Sequence, residues 1–244
     1  MAQVTTPIVA LDVPSIESAA TLVNRLDGLC GFYKVGLELF AAEGPAVIRV
    51  LRDRGADVFL DLKLHDIPNT VARAVLRACA HGVRLLTVHA SGGRDMLEAA
   101  QRSAASAGAG GCQLLAVTVL TSLDRGGLAH AWGRPEADLD VDAEVLRLAG
   151  MAREAGLHGV VCSGREAAAV RARFGDRLKT LVPGVRMAGT EANDQARVVT
   201  PAEAAAAGAR YIVLGRTVTA SSDPRGAMEQ VLAELGNTRS AAAP

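Results

Sequence analysis

Two periods of hydrophobic and polar residues alternate along the chain. Short apolar runs rich in Val, Ile and Leu fall at residues 8–13, 32–36, 57–64, 85–89, 114–120, 159–162, 180–183 and 211–214. Such runs read as strands buried on both faces. Between them lie longer stretches with apolar residues every third or fourth position, which predicts helices near 15–27, 44–54, 68–81, 93–106, 142–155, 164–174, 201–207 and 224–235. Ser15 stands where an N-cap belongs, Pro68 suits a first helical turn, and Gly55 and Gly82 close the helices before them. Strand and helix thus alternate eight times. Crossover helices imply parallel strands, and eight units in this length predict an α/β fold, a single-domain (β/α)8 TIM barrel over residues 1–236. An open doubly wound sheet is the alternative. Residues 237–244 are expected to be a disordered tail, and the connections 121–141 and 184–199 read as irregular.

Composition narrows the function. The 244 residues are 50% hydrophobic and 21% charged with zero formal net charge, ample for one large core and without the basic excess that nucleic acid attracts. The sequence has no long uninterrupted apolar span and no basic-then-apolar leader, so a soluble cytoplasmic protein without membrane partners is expected. Cys30, Cys79, Cys112 and Cys162 lie in or beside apolar runs and form no C-x-x-C pair. They are expected to pack as small hydrophobes, with neither a disulfide framework nor a zinc site. The five histidines also lack metal-ligand spacing.

The chemistry collects at strand ends. The third strand leads into Asp61-Leu62-Lys63-Leu64-His65-Asp66-Ile67-Pro68-Asn69-Thr70. Strand parity places Phe59, Asp61 and Lys63 on one face and Leu60, Leu62 and Leu64 on the other. Burying charges is expensive, so packing does not explain this placement. By the same parity Asp12 shares a face with Ala10, and Lys34 with Phe32 and Gly36. Charged residues of three consecutive strands therefore converge inside one barrel mouth, where active sites of this architecture form. Apart from Lys179, Lys34 and Lys63 are the only lysines in an arginine-rich chain. A lysine can give a proton to a substrate, which an arginine effectively cannot. After the seventh and eighth strands come Pro183-Gly184-Val185-Arg186 and Gly215-Arg216. Glycines admit backbone N–H groups to an anion, arginines bind phosphate oxygens bidentately, and these two loops commonly hold phosphate in such barrels.

Taken together, these motifs with Lys34-Val35-Gly36, Thr118-Val119-Leu120-Thr121-Ser122 and Asn193-Asp194-Gln195-Ala196-Arg197-Val198 resemble the bacterial type of the orotidine 5′-phosphate decarboxylase family. The matches run in order over most of the chain. The family often has an aromatic residue where Leu64 stands, a position that parity turns toward the helices. The resemblance implies decarboxylation of orotidine 5′-phosphate to UMP and CO2, the last step of de novo pyrimidine nucleotide synthesis, with no cofactor and no metal. It implies Lys63 as proton donor to C6, Asp61 beside the leaving carboxylate, and Lys34 between the ribose and the charge network. Asp12 would bind ribose and Thr121 the pyrimidine edge. Pro183, Arg186, Gln195, Gly215 and Arg216 would line the substrate, the last four at or near its phosphate. Asp66, Ile67 and Thr70 would complete the neighbouring site of a homodimer, and residues 184–199 would close over the ligand. Two other readings stay open: a metal-dependent sugar-phosphate decarboxylase or aldolase of the same superfamily, which a chelator would silence, and a catalytically silent nucleotide-phosphate binding protein.

Overall fold

A computed structural model describes residues 4–108, 111–187 and 199–241, with side chains described as far as residue 236. The strands are β1 (Thr6–Ala10), β2 (Phe32–Val35), β3 (Asp57–Leu64), β4 (Leu85–His89), β5 (Gln113–Val117), β6 (Gly159–Val161), β7 (Lys179–Val185) and β8 (Tyr211–Leu214). All neighbours pair in parallel and β8 returns to β1, closing the barrel in chain order. The helices are α1 (Ile16–Arg25), α2 (Leu37–Glu43), α3 (Ala46–Arg52), α4 (Pro68–Ala80), α5 (Arg94–Ser106), α6 (Arg125–Trp132), α7 (Val141–Glu154), α8 (Gly164–Phe174), α9 (Pro201–Ala206), α10 (Arg216–Thr219) and α11 (Pro224–Ala241). The predicted barrel is therefore the observed one. Ser15 caps α1 through the backbone N–H of Ser18, and Pro68 opens α4.

Among the described residues, three helices go beyond the expected eight. The helices α2 and α10 are short, and α2 buries only Leu39, which leaves no readable stripe. Inside the polar 121–141 connection, α6 is started by Asp124, whose carboxylate accepts from Gly127 N–H. The final helix reaches Ala241, past the expected end at 235.

Side chains alternate as the pleat demands. Ile8, Ala10, Phe32, Phe59, Leu85, Leu115, Val117, Val161, Leu181, Tyr211 and Val213 fill the barrel interior. Leu11, Val35, Leu60 and their counterparts face the helices in a second, larger core layer. Each fully buried aliphatic side chain contributes about 1.5–3 kcal/mol, so the double layer is the main source of stability. The ladder is irregular at two places. Between Leu60↔Leu86 and Leu64↔Val88, the three residues Asp61, Leu62 and Lys63 stand opposite Thr87 alone. Between Val182↔Ile212 and Val185↔Leu214, Pro183 and Gly184 stand opposite Val213, and Gly184 takes φ +69°. Bulges of this kind re-aim side chains beside active sites.

The expectation for the cysteines needs correcting. Cys79 and Cys112 are buried as foreseen, but they are joined as a disulfide. The last turn of α4 and the residue before β5 meet at the base of the barrel, with Cα atoms 5.2 Å apart across 33 positions of sequence. A search for local Cys spacing does not see that proximity. Cys30 and Cys162 are not part of a disulfide.

The barrel base is closed by polar contacts. Asp57 pairs with Arg84 and Arg52, Arg84 lies over the ring of Phe32, and Arg210 lies over Tyr211 while donating to Thr6. His158 sits 3.2 Å from the Tyr211 hydroxyl. Burial, with Lys179, Arg210 and Arg84 nearby, lowers its pKa from 6.5 to about 4. The folded state therefore holds this imidazole neutral, while the unfolded chain protonates it first as pH falls. Stability is predicted to drop between about pH 6.5 and pH 4 by an amount on the order of 1–2 kcal/mol, after allowing for solvent screening of a half-buried ring. His158→Gln should lose that component. Thermal melts of both proteins across this pH range check it; parallel curves would contradict it.

Candidate active site

At the C-terminal mouth of the barrel lies a cavity of ≈ 510 Å³, within the size range of small-molecule sites. Ala10, Phe59, Val117, Val161, Leu181 and Val213 line its apolar depth. Above this floor the sequence has placed three kinds of chemistry on three sectors of the wall.

The first sector carries the ion pairs. Lys34 is buried at the end of β2, and its Nζ donates to Asp12 Oδ1 at 2.8 Å. Lys63 Nζ donates to Asp61 Oδ2, also at 2.8 Å. All four side chains line the cavity. Parity foresaw this convergence, but it is the bulge in β3 that brings Lys63 to its place. Lys63 has φ +50°, the sole non-glycine residue with positive φ among the described residues. A left-handed backbone costs an L-residue roughly 1–2 kcal/mol. Thr87, fully buried in β4, holds this turn from the opposite strand: its hydroxyl accepts from Lys63 N–H and donates to Asp61 Oδ1, both at 2.9 Å. Thr87 was missed in the sequence. Its parity with Leu85 places it inside the barrel, and a polar residue on an interior face was the available signal.

Beside this cluster the rings of His65 and His89 stack at 5.5 Å. Burial first, then His65 and Lys63, lowers the His89 pKa below its ordinary value. Its ring therefore takes up a proton less readily than a free imidazole.

The second sector is polar and uncharged: Thr121 and Ser122, just after β5, line the cavity as expected. The third sector is formed by the loops after β7 and β8. Pro183, Gly184, Arg186, Gly215 and Arg216 line the wall there. The Thr217 hydroxyl donates to Val185 O at 3.3 Å and ties the loop after β8 to the end of β7, while Arg186 N–H donates to Val199 O at 3.0 Å within the connection that follows β7. Gln195 lies outside the described residues, as does most of the expected closing loop.

Asp66, Ile67 and Thr70 occupy a different position. They are exposed on the rim around the start of α4 and do not line the cavity of their own chain. Asp66 accepts from Ile67 N–H at 2.6 Å, and Ile67 is 67% exposed, high for a large apolar side chain. No group of three or more His, Cys, Asp or Glu residues that could hold a metal occurs among the described residues. No helix among them is long and apolar enough to cross a membrane.

Residues 5–231 match the model of the orotidine 5′-phosphate decarboxylase / HUMPS family. The chain belongs to this family. Its similarity to known members covers most of the chain. The orotidine 5′-phosphate decarboxylase of Moorella thermoacetica is 48% identical over 232 residues, covering 93% of this chain and 91% of the relative. That of Anaeromyxobacter sp. (strain K) is 50% identical over 228 residues, covering 93% and 96%. Among solved structures, orotidine 5′-phosphate decarboxylase from Lactobacillus acidophilus superposes with a TM-score of 0.83 at 36% identity, covering 95% of this chain and 99% of that one. Membership agrees with the closed barrel and with the motifs read from the sequence.

Within this family fold, the fit around Lys34 depends on Gly36. A Cβ there would come within 2.6 Å of Lys34 Nζ and 3.2 Å of Asp12 Oδ1, and Gly36 has an ordinary φ of −96°. Gly36→Ala should therefore leave the backbone undisturbed and push the Lys34 ammonium aside. The expected result is an unchanged melting temperature with turnover lowered on the order of 10- to 100-fold, the effect of an ångström-scale misplacement. Steady-state kinetics beside a thermal melt check this; full activity would show that the pair tolerates displacement.

Proposed function

We propose that the chain decarboxylates orotidine 5′-phosphate to UMP and CO2, as a carboxy-lyase of de novo pyrimidine nucleotide synthesis, using only its own side chains. The observation that carries this reading is the Asp61–Lys63 pair on the wall of a cavity whose other side bears Arg186 and Arg216. A nucleotide monophosphate has the matching polarity: a dianion at one end and a reacting carbon at the other.

The reaction breaks the bond between C6 and the carboxylate and leaves the electron pair on C6. Lys63 places positive charge where that negative charge develops and then delivers its proton to C6. Water returns a proton to the amine. Asp61 holds Nζ and stands beside the leaving carboxylate, and the Asp12–Lys34 pair receives the ribose hydroxyls. Thr121 reads the pyrimidine edge. The apolar floor lowers the local dielectric, which strengthens every charge interaction above it. Enzymatic rate enhancements require barrier reductions of about 8–23 kcal/mol, more than one charge contact supplies. Phosphate binding by Gly184, Arg186, Gln195, Gly215 and Arg216 contributes remote binding energy that offsets desolvation at C6.

The same reading makes the protein a cytoplasmic homodimer. Asp66, Ile67 and Thr70 are exposed on the rim next to the site, and a second subunit packed there would receive Asp66 beside its own Lys63. The exposed Ile67 and the 60% exposed Leu37 support burial of this rim in a partner.

With EDTA present, purified protein should convert orotidine 5′-phosphate to UMP by ultraviolet absorbance, and Lys63→Ala should lose on the order of 10²–10³-fold or more while still binding UMP. No conversion by folded dimer would favour a metal-dependent sugar-phosphate enzyme. Near-normal turnover by Lys63→Ala would refute the proton-donor role. Mixing inactive Lys63→Ala with inactive Asp66→Ala subunits should restore activity, since one site of each mixed dimer is then intact. A mixture that stays inactive after verified subunit exchange would contradict the shared site.

A further inference from the structure

Thr87 lies outside the cavity lining, yet two functional groups are tied to it. The residue is fully buried, and its single hydroxyl is used in both directions. It accepts the N–H of Lys63 at 2.9 Å and donates to Asp61 Oδ1 at 2.9 Å. Asp61 Oδ2 in turn receives Lys63 Nζ at 2.8 Å. The three residues close a ring: Lys63 backbone to Thr87, Thr87 to Asp61, Asp61 to the Lys63 ammonium. The ring sits where the β3–β4 ladder places three residues opposite one. At that point a backbone partner for the left-handed Lys63 is replaced by a side chain.

We propose that Thr87 is a positioning residue for decarboxylation: its hydroxyl fixes the left-handed turn at Lys63 and reserves one oxygen of Asp61, so that the other directs the Lys63 ammonium at the reacting carbon. The assignment rests on the decarboxylase reading above. Thr87 does not line the cavity, so its effect passes through Asp61 and Lys63. Without it, Lys63 N–H and Asp61 Oδ1, both part-buried, lose a partner. Asp61 is then free to rotate, and Lys63 to leave the turn that aims it.

Two substitutions separate positioning from packing. Thr87→Val keeps the shape and removes the hydroxyl; Thr87→Ser keeps the hydroxyl and removes a buried methyl group. A residue that only fills space would suffer more from serine, whereas a positioning residue suffers more from valine. The expected result is a kcat lowered on the order of 10- to 100-fold in Thr87→Val, with UMP affinity within about two-fold of wild type and kcat near wild type in Thr87→Ser. Melting temperatures measured alongside should not rank with kcat. If the valine variant does not fold, Thr87→Ala supplies the hydroxyl-free comparison against serine. Wild-type kcat in a hydroxyl-free variant, or equal losses in serine and valine that follow stability, would overturn the assignment. A wild-type protein without turnover would instead remove the decarboxylase reading, and this assignment with it.

Discussion

The Asp61 carboxylate is the constraint on which the rest of the site depends. Its two oxygens face different partners, a neutral hydroxyl from β4 and the ammonium of Lys63. Moving a carboxylate and an ammonium out of water costs several kcal/mol for each ion, and attraction between them offsets this only when the geometry is good and the remaining lone pairs are bonded. Thr87 supplies that remaining bond. The barrel makes the arrangement durable: Phe59 and Leu60 are buried on opposite faces of β3 just before Asp61, so the strand cannot slide or turn without exposing one of them.

A regular barrel would not produce this site. Eight regular strands would deliver side chains in an even alternation around the mouth. Here β3 and β7 each carry extra residues at their C-terminal ends, and both departures lie at the cavity. One turns Lys63 onto Asp61. The other, through Gly184, leads Pro183 and Arg186 to the sector formed by the loops after β7 and β8. The apolar floor and the two ion pairs of the β1–β3 sector then combine low dielectric with fixed charge, the conditions under which electrostatic stabilisation of a developing anion is strongest.

Much of this was legible in the sequence, because the relevant signals were local or periodic. Alternation assigned Ala10 and Phe32 to the interior and Leu11 and Val35 to the helix side, and that is where they lie. The eightfold strand–helix repeat gave the barrel, and strand ends gave Asp12, Lys34, Asp61, Lys63, Thr121, Pro183, Arg186, Gly215 and Arg216 around one cavity. What escaped was set by tertiary geometry. Pleat parity has no account of three residues opposing one, so the positive φ of Lys63 and the contacts of Thr87, though not its interior position, were invisible. The steric demand at Gly36 comes from the folded position of Lys34, and the Cys79–Cys112 bond from two segments 33 residues apart. The short α2 and α10 are stabilised by context more than by a stripe of their own.

The most direct test of the central claim is a crystal structure of the protein with UMP bound. The account predicts the pyrimidine in the barrel mouth with C6 facing Lys63 Nζ, Asp61 still bonded to both Thr87 and Lys63, and the phosphate between Arg186 and Arg216. A nucleotide bound with its base at the arginine loops, or a Lys63 ammonium released from Asp61 and turned away from C6, would contradict it.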